Sequence, residues 1–153
     1  MESNNNNDTI LEGINLINDY SLAMAAGDHK LMATMHSSDY ELDFVQRDAF
    51  QGGRLSAEEA HQFWSSWFAG FSEMDYEVVR TIAGEDVIVT QWIFTGTNDG
   101  KISPPVFDDL IDPTGRTICF RGVSIYDIQE GKIQRETTYM DLGTVLVELG
   151  VML

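Results

Sequence analysis

Apolar positions recur at helical spacing over the first part of the chain. A first helix is predicted from Ile10, Ile14, Ile17, Leu22 and Met24, with Gly27-Asp28 at its end. A short second helix is predicted over residues 30–36. Ser56 and Glu59 have the spacing of a capping box, which predicts the start of a third helix with a broad aromatic stripe. Such a stripe is typical of core packing against a sheet, and it can also form one wall of a ligand cavity.

The pattern changes to β-branched and aromatic residues in the second half of the chain. Strands are predicted over residues 40–45, 76–83, 87–96, 117–128 and 132–141, and a short helix over residues 145–151. Helices followed by a run of antiparallel strands indicate an α+β fold. We therefore predict a single domain over residues 10–153. Residues 1–9, which include four consecutive asparagines, are predicted to be a flexible polar tail.

The composition limits the classes of partner. The chain has 153 residues and a formal net charge of −16, from 25 acidic and 9 basic side chains. This balance argues against nucleic acid and anionic membrane surfaces, because both are bound through lysine and arginine. The single cysteine, Cys119, excludes an intrachain disulfide, is expected to be a buried packing thiol, and is compatible with a cytoplasmic location. The sequence has no metal-ligand spacing and no nucleotide motif, so we expect no cofactor.

Several short motifs occur in the order found in one known family. They are Ala26-Gly27-Asp28, Trp92 ahead of Thr95-Gly96-Thr97, Pro113-Thr114-Gly115-Arg116, Gly131-Lys132-Ile133 and Tyr139-x-Asp141. From about residue 10 to 152, the chain resembles the SnoaL-like polyketide cyclase (ester cyclase) branch of the nuclear transport factor 2-like superfamily. The resemblance implies a cone-shaped, curved antiparallel sheet with N-terminal helices around one apolar cavity. It also implies a homodimer formed through the outer face of that sheet.

The chain departs from related enzymes at positions that carry their chemistry. Limonene epoxide hydrolases use an Arg-x-Asp pair where this chain has Trp92 and Phe94. Ketosteroid isomerases place a base where Phe44 stands and an acidic oxyanion donor where Ser124 stands, whereas Tyr20 matches their helix-one tyrosine. The resemblance therefore does not by itself select one reaction.

Asp141 is the predicted catalytic base, because it ends a strand whose alternate residues share one face. These residues are Ile133, Arg135, Thr137, Tyr139 and Asp141, and the resemblance implies that their face lines the cavity. A carboxylate in an apolar pocket has a raised pKa, which suits proton transfer near neutral pH. A strand-end aspartate can instead cap a helix or form a salt bridge. Glu136, on the other face of the predicted strand, is expected to be solvated.

Tyr139, Tyr20 and His36 are predicted to assist Asp141 as hydrogen-bond donors to an enolate or as an acid/base partner. The alternative interpretation is that they are core side chains with satisfied polar atoms. The part of the cavity wall that binds substrate is predicted to contain Trp92, Phe94, Ser124, Tyr126, Phe44 and Trp64.

These observations lead to one main hypothesis and two alternatives. The main hypothesis is a cofactor-free cyclase or isomerase that acts on an apolar, carbonyl-containing, polyketide-like small molecule by proton transfer in an enclosed pocket. The first alternative is a non-catalytic module of the same fold that binds a small ligand or mediates association. The second is a hydrolase or lyase that uses the same pocket.

Overall fold

The order of helices and strands follows the hydrophobic pattern of the sequence. The computed structural model describes residues 2–45 and 54–151. Its elements are α1 (Glu2–Ala25), α2 (His29–Thr34), β1 (His36–Phe44), β2 (Leu55–Ser56), α3 (Ala57–Ala69), β3 (Phe71–Ala83), β4 (Val87–Asn98), β5 (Thr117–Gln129), β6 (Lys132–Met140) and α4 (Leu142–Leu149). The predicted α+β fold is confirmed.

One curved sheet organises the molecule. Its six strands lie in the order β2-β1-β6-β5-β4-β3. The pairs among β3, β4, β5 and β6 are antiparallel, as predicted. In contrast to the fully antiparallel sheet that we expected, β1 runs parallel to β6. The long strands β3 to β6 form most of the surface on which the helices pack.

Local capping signals correctly predict where α2 and α3 begin. The Ser56 hydroxyl accepts a hydrogen bond from the backbone N–H of Glu59 at 3.3 Å, and the Glu59 carboxylate accepts one from the Ser56 N–H at 3.2 Å. The predicted capping box is therefore present. Asp28 caps α2 by accepting a hydrogen bond from the N–H of Leu31 at 3.0 Å. Gly27 reverses the chain between α1 and α2 with a φ of +67°, a conformation that glycine adopts without a steric cost.

Two boundaries near the N-terminus differ from the prediction. Helix α1 begins at Glu2, so it includes residues 2–9, for which no helix was predicted. Asparagine lowers helix propensity only modestly, and the side chains at positions 6–9 lie on solvated turns. Helix α2 ends at Thr34, and His36 therefore begins β1 and does not end the helix.

The interior is mainly apolar, and its largest members are aromatic side chains from α1, α3 and strands β1, β3, β4 and β5. Cys119 is exposed, which corrects the expectation of a buried thiol. Cys119 lies on the outward-facing set of β5 residues, while its neighbours Ile118 and Phe120 point inward. Among the described residues, no helix has both the length and the apolar character needed to cross a membrane.

An irregularity in β6 determines which side chains enter the core. Ile133 pairs with Ile128 on β5, but Arg135 pairs with Asp127, so β6 contains one extra residue between these two pairs. An extra residue of this kind exchanges the two faces of a strand beyond it. As a result, Ile133 and Glu136 are both buried, although they are three positions apart.

Candidate active site

A cavity lies between the concave face of the sheet and helices α3 and α4. Its volume is about 110 Å³. Ten of its eighteen lining residues are aromatic. Glu136 is the one lining residue with a charged side chain among the residues that the structure describes, and Ser124 and Thr138 add two hydroxyls. The cavity wall is therefore mainly aromatic, and its polar side chains lie on β5 and β6.

Glu136 is a buried carboxyl in the wall of this cavity. It is 1% exposed, and its Oε2 accepts hydrogen bonds from the hydroxyls of Tyr40 at 2.6 Å and Tyr20 at 3.0 Å. Burial raises the pKa of Glu136 to about 7, while the hydroxyls of Tyr40, Tyr20 and Tyr126 act in the opposite direction. The carboxyl can therefore both accept and release a proton near neutral pH.

The tyrosines around Glu136 remain neutral hydroxyl donors. Burial, followed by the Glu136 charge, raises the pKa of both Tyr20 and Tyr40 well above its usual range. Tyr126 lies directly opposite Glu136 on β5, and its ring packs edge-on against Tyr20 at a centroid distance of 5.7 Å. The Tyr126 hydroxyl is buried and makes no hydrogen bond of normal geometry with the described residues.

His36 extends this network by one step. Its Nε2 lies 3.0 Å from the Tyr20 hydroxyl, and its ring stacks on Tyr40 at a centroid distance of 3.6 Å. Burial, helped by His61, lowers the pKa of His36 to about 4, so the ring is neutral at pH 7. Because Tyr20 donates its only proton to Glu136, His36 must be the donor to Tyr20. This assigns the ring proton to Nε2.

A second polar cluster lies on the same face of the sheet. The indole N–H of Trp92 donates to the Ser124 hydroxyl at 2.9 Å, and Ser124 Oγ lies 3.0 Å from Thr138 Oγ1. Gly122 pairs with Trp92 across β4 and β5, and a Cβ at Gly122 would collide with the indole ring. The missing side chain therefore lets the ring lie flat over β5 and direct its N–H toward Ser124.

Most of the predicted wall residues line the cavity. Trp92, Phe94, Ser124, Phe44 and Trp64 are among its lining residues. Tyr126 is completely buried next to Glu136, but it is not one of the lining residues. Tyr20 and His36 also belong to the Glu136 network without lining the cavity themselves.

The placement predicted for Asp141 and Tyr139 is wrong. Asp141 is the N-cap of α4, where it accepts hydrogen bonds from the N–H of Thr144 at 3.2 Å and from its hydroxyl at 2.7 Å. These bonds hold the pKa of Asp141 below its usual range. Tyr139 is 47% exposed. The extra residue in β6 reverses the alternation after Ile133, which directs Tyr139 outward and Glu136 inward.

Glu136, Tyr40 and Thr138 belong to the site but were not predicted from the sequence, and Glu136 is buried and not solvated as expected. Counting forward from Ile133 assigns the wrong face to the end of β6. Counting backward by twos from the apolar Met140, which lines the cavity, assigns Thr138 and Glu136 to the inner face. This count becomes possible only once Met140 is known to line the cavity, because the sequence does not show from which end of β6 to count.

This curved sheet, with helices enclosing a cavity on its concave face, defines the nuclear transport factor 2-like fold, also known from ketosteroid isomerases. The chain belongs to the SnoaL-like polyketide cyclase family, whose model matches residues 20–149. The recognised resemblance is therefore confirmed. No curated protein matches the chain.

Solved structures with low sequence identity share this fold. AclR, a proposed hydroxylase from Streptomyces galilaeus, has 18% identity and a TM-score of 0.77, over 94% of this chain and 88% of its own. A proposed SnoaL-like polyketide cyclase from Jannaschia sp. CCS1 has 16% identity and a TM-score of 0.76, over 94% of both chains. An epoxide hydrolase of M. tuberculosis, similar to limonene epoxide hydrolases, has 13% identity and a TM-score of 0.67, over 92% of this chain and 90% of its own.

Proposed function

We propose that this protein is a cofactor-free acid/base enzyme of the cyclase or isomerase type, with Glu136 as its catalytic base. The observation that carries the proposal is a fully buried carboxyl with a pKa of about 7 in the wall of an aromatic cavity. A perturbed carboxyl in a cleft is characteristic of groups that transfer protons. Glu136 therefore takes the role that the sequence assigned to Asp141.

The proposed reaction starts at a C–H bond next to a carbonyl group of an apolar substrate. Glu136 takes the proton, and the electron pair of the C–H bond forms an enolate with its charge on oxygen. In a cyclase, the enolate carbon attacks a second carbonyl of the same molecule, and the new alkoxide takes the proton back from Glu136. In an isomerase, Glu136 returns the proton to a different carbon. Either sequence restores the carboxylate, so no further reactant is needed.

The surrounding side chains determine the strength of this base. Desolvation alone would raise the pKa of Glu136 further, and the hydroxyls of Tyr40 and Tyr20 oppose it by stabilising the anion. Both hydroxyls bind Oε2, so we assign the uptake of the substrate proton to Oε1. His36 holds Tyr20 from the other side, so it positions the base and does not itself titrate near neutral pH.

The aromatic wall contributes by enclosing the substrate. Trp64, Trp67 and Phe120 offer apolar surface on which a flat or folded carbon skeleton can pack. Because one cavity holds both reacting carbons close together, less entropy is lost on the way to the transition state than in solution. Membership of the SnoaL-like polyketide cyclase family supports a substrate of this kind.

Hydrogen–deuterium exchange into a small ketone tests this proposal. The probe is 2-tetralone, whose C1 protons are acidic because they lie between an aromatic ring and a carbonyl. We expect the protein to accelerate exchange at C1 in D₂O, as followed by proton NMR, with a rate that rises with pH through about 7. Glu136→Gln is expected to abolish the acceleration, whereas the exposed control Glu77→Gln keeps it.

Two results would count against this function. Exchange that is equally fast with Glu136→Gln would show that another group removes the proton. Saturable binding of 2-tetralone without any exchange would favour the alternative of a non-catalytic binding module.

We also propose that the protein forms a homodimer through the outer face of the sheet. Val89, Ile93, Val123 and Ile125 form a half-exposed apolar row there, and Tyr139 is exposed on the same face of β6. A second copy of this face would cover the row. Sedimentation equilibrium should give twice the chain mass of 17.2 kDa, and Ile93→Lys should shift the protein toward monomer. A monomer at all concentrations would contradict the dimer.

A further inference from the structure

The cluster of Trp92, Ser124 and Thr138 contains one more hydrogen-bond donor proton than there are hydrogen bonds within it. The three groups carry one N–H and two O–H protons, but only two hydrogen bonds join them. If Ser124 donates to Thr138, the proton of Thr138 is left over. If Thr138 donates to Ser124, the proton of Ser124 is left over, because Trp92 can only donate. Either arrangement leaves one hydroxyl proton unused.

The described residues supply no acceptor for this proton. Ser124 and Thr138 are 2% and 3% exposed, and both line the cavity. Thr90 lies opposite Ser124 on β4, but its buried hydroxyl makes no hydrogen bond of normal geometry with Ser124 or with any other described residue. A buried donor without a partner costs free energy, and an acceptor atom brought into the cavity would remove that cost.

We propose that Ser124 and Thr138 form a binding subsite for one oxygen acceptor of the ligand, most simply a neutral carbonyl oxygen. Two features favour a neutral acceptor over an anion. The donor is an uncharged hydroxyl, and Glu136 lies on the same face of β6 only two residues from Thr138. An anionic group at the subsite would be repelled whenever Glu136 is ionised.

The subsite also sets the orientation of a substrate, and this step rests on the proposed function. Alternate residues of a strand are about 7 Å apart along its axis. With the carbonyl oxygen at the Ser124–Thr138 pair, the carbon next to the carbonyl is directed toward Glu136. The unused hydroxyl proton would then stabilise the negative charge that develops on this oxygen when Glu136 removes the proton.

Paired ligands that differ only in the oxygen test the subsite. The probes are 2-tetralone and tetralin, which share one carbon skeleton and differ in the carbonyl group. After correction for their different solubilities, we expect the dissociation constant of 2-tetralone to be roughly 3- to 10-fold lower than that of tetralin. This is the gain in affinity that a single hydrogen bond provides. Tryptophan fluorescence gives both dissociation constants, and near-UV circular dichroism verifies that each variant is folded.

Proton counting gives an unusual pattern of variant effects. Thr138→Val leaves the Ser124 proton unused, and Ser124→Ala leaves the Thr138 proton unused, so each single variant keeps part of the preference. The double variant Ser124→Ala/Thr138→Val has no hydroxyl donor but frees the indole N–H of Trp92, so Trp92→Phe is added to it. This triple variant has no donor left in the cluster and should bind both probes equally. Thr137→Val, on the outer face of β6, removes one hydroxyl without touching the subsite and should keep the full preference.

The outcomes separate this inference from the proposed function. An unchanged preference in the triple variant, or equal binding of the probes by the unaltered protein, would overturn the subsite. If the triple variant does not fold, the infrared carbonyl stretch of 2-tetralone bound to the unaltered protein decides. A shift to lower wavenumber than in an apolar solvent supports the subsite, and no shift refutes it. If Glu136→Gln fails to slow exchange while the ketone preference persists, the proposed function falls and the subsite stands.

Discussion

Replacing Glu136 by glutamine exchanges a titratable buried carboxyl for a neutral side chain of almost the same shape. The amide oxygen of glutamine can still accept the hydroxyls of Tyr20 and Tyr40. The cost of burying the amide N–H groups does not depend on pH, because an amide does not titrate in this range. The difference in stability between the two proteins should therefore change with pH only through the ionisation of Glu136.

The sign and size of this change follow from the pKa of Glu136. Folding raises it from 4.5 to about 7. Below pH 4.5 the carboxyl is protonated in both the folded and unfolded states, and above pH 7 it is ionised in both. Between these values the unfolded state loses its proton first, so the free energy of unfolding falls as pH rises. At about 1.4 kcal/mol per pH unit, the free energy of unfolding falls by about 3 kcal/mol in total.

Urea unfolding of both proteins between pH 4.5 and 8.5 measures this difference, with tryptophan fluorescence as the signal. The free energy of unfolding of Glu136→Gln, minus that of the unaltered protein, should increase by about 3 kcal/mol from pH 4.5 to 8. Folding lowers the pKa of His36 from 6.5 to about 4, which also changes stability in part of this range, but His36 is present in both proteins and its contribution cancels. Parallel stability curves across the whole range would refute a raised pKa for Glu136.

Three further substitutions probe other parts of the site. Tyr20→Phe removes a hydroxyl that lowers the pKa of Glu136, so the midpoint of the pH profile for 2-tetralone exchange should rise by about one unit; an unchanged or lower midpoint would contradict this role. Asp141→Ala removes the cap of α4 and should lower the melting temperature while leaving the exchange rate within about twofold, whereas lost exchange in a folded variant would restore Asp141 as the base. Gly122→Ala should displace the Trp92 ring and lower the free energy of unfolding by about 1–3 kcal/mol, with a shifted fluorescence maximum; unchanged stability and emission would show that Trp92 does not depend on this glycine.

The fold could be predicted from sequence because its signals are local and repeated. The capping box at Ser56 and the glycine after α1 each mark a boundary on chemical grounds. The alternation of buried residues along β4 is regular, so Trp92 and Phe94 were assigned to the correct face. The family motifs then supplied the arrangement of these elements into one cone-shaped sheet.

The site could not be predicted as well, because it depends on one irregular position in β6. Residues 134–139 contain no aliphatic side chain, so the hydrophobic pattern does not report which face points inward there. The extra residue after Ile133 leaves no recognisable pattern in the sequence. It nevertheless turns Glu136 inward, so that Glu136 replaces Asp141 as the candidate base. Tyr40 was missed for a related reason, since its hydroxyl reaches Glu136 only across the parallel pairing of β1 with β6.

The most direct test of this account is the pKa of Glu136 itself. Carbon-13 NMR of protein labelled at the glutamate side-chain carboxyl carbon gives one titration curve per glutamate, and the signal missing from Glu136→Gln identifies the curve of interest. The account predicts a midpoint of about 7 for that signal. A midpoint between about 4 and 5, the range of an ordinary solvated glutamate, would contradict both the buried base and the acid/base function proposed for it.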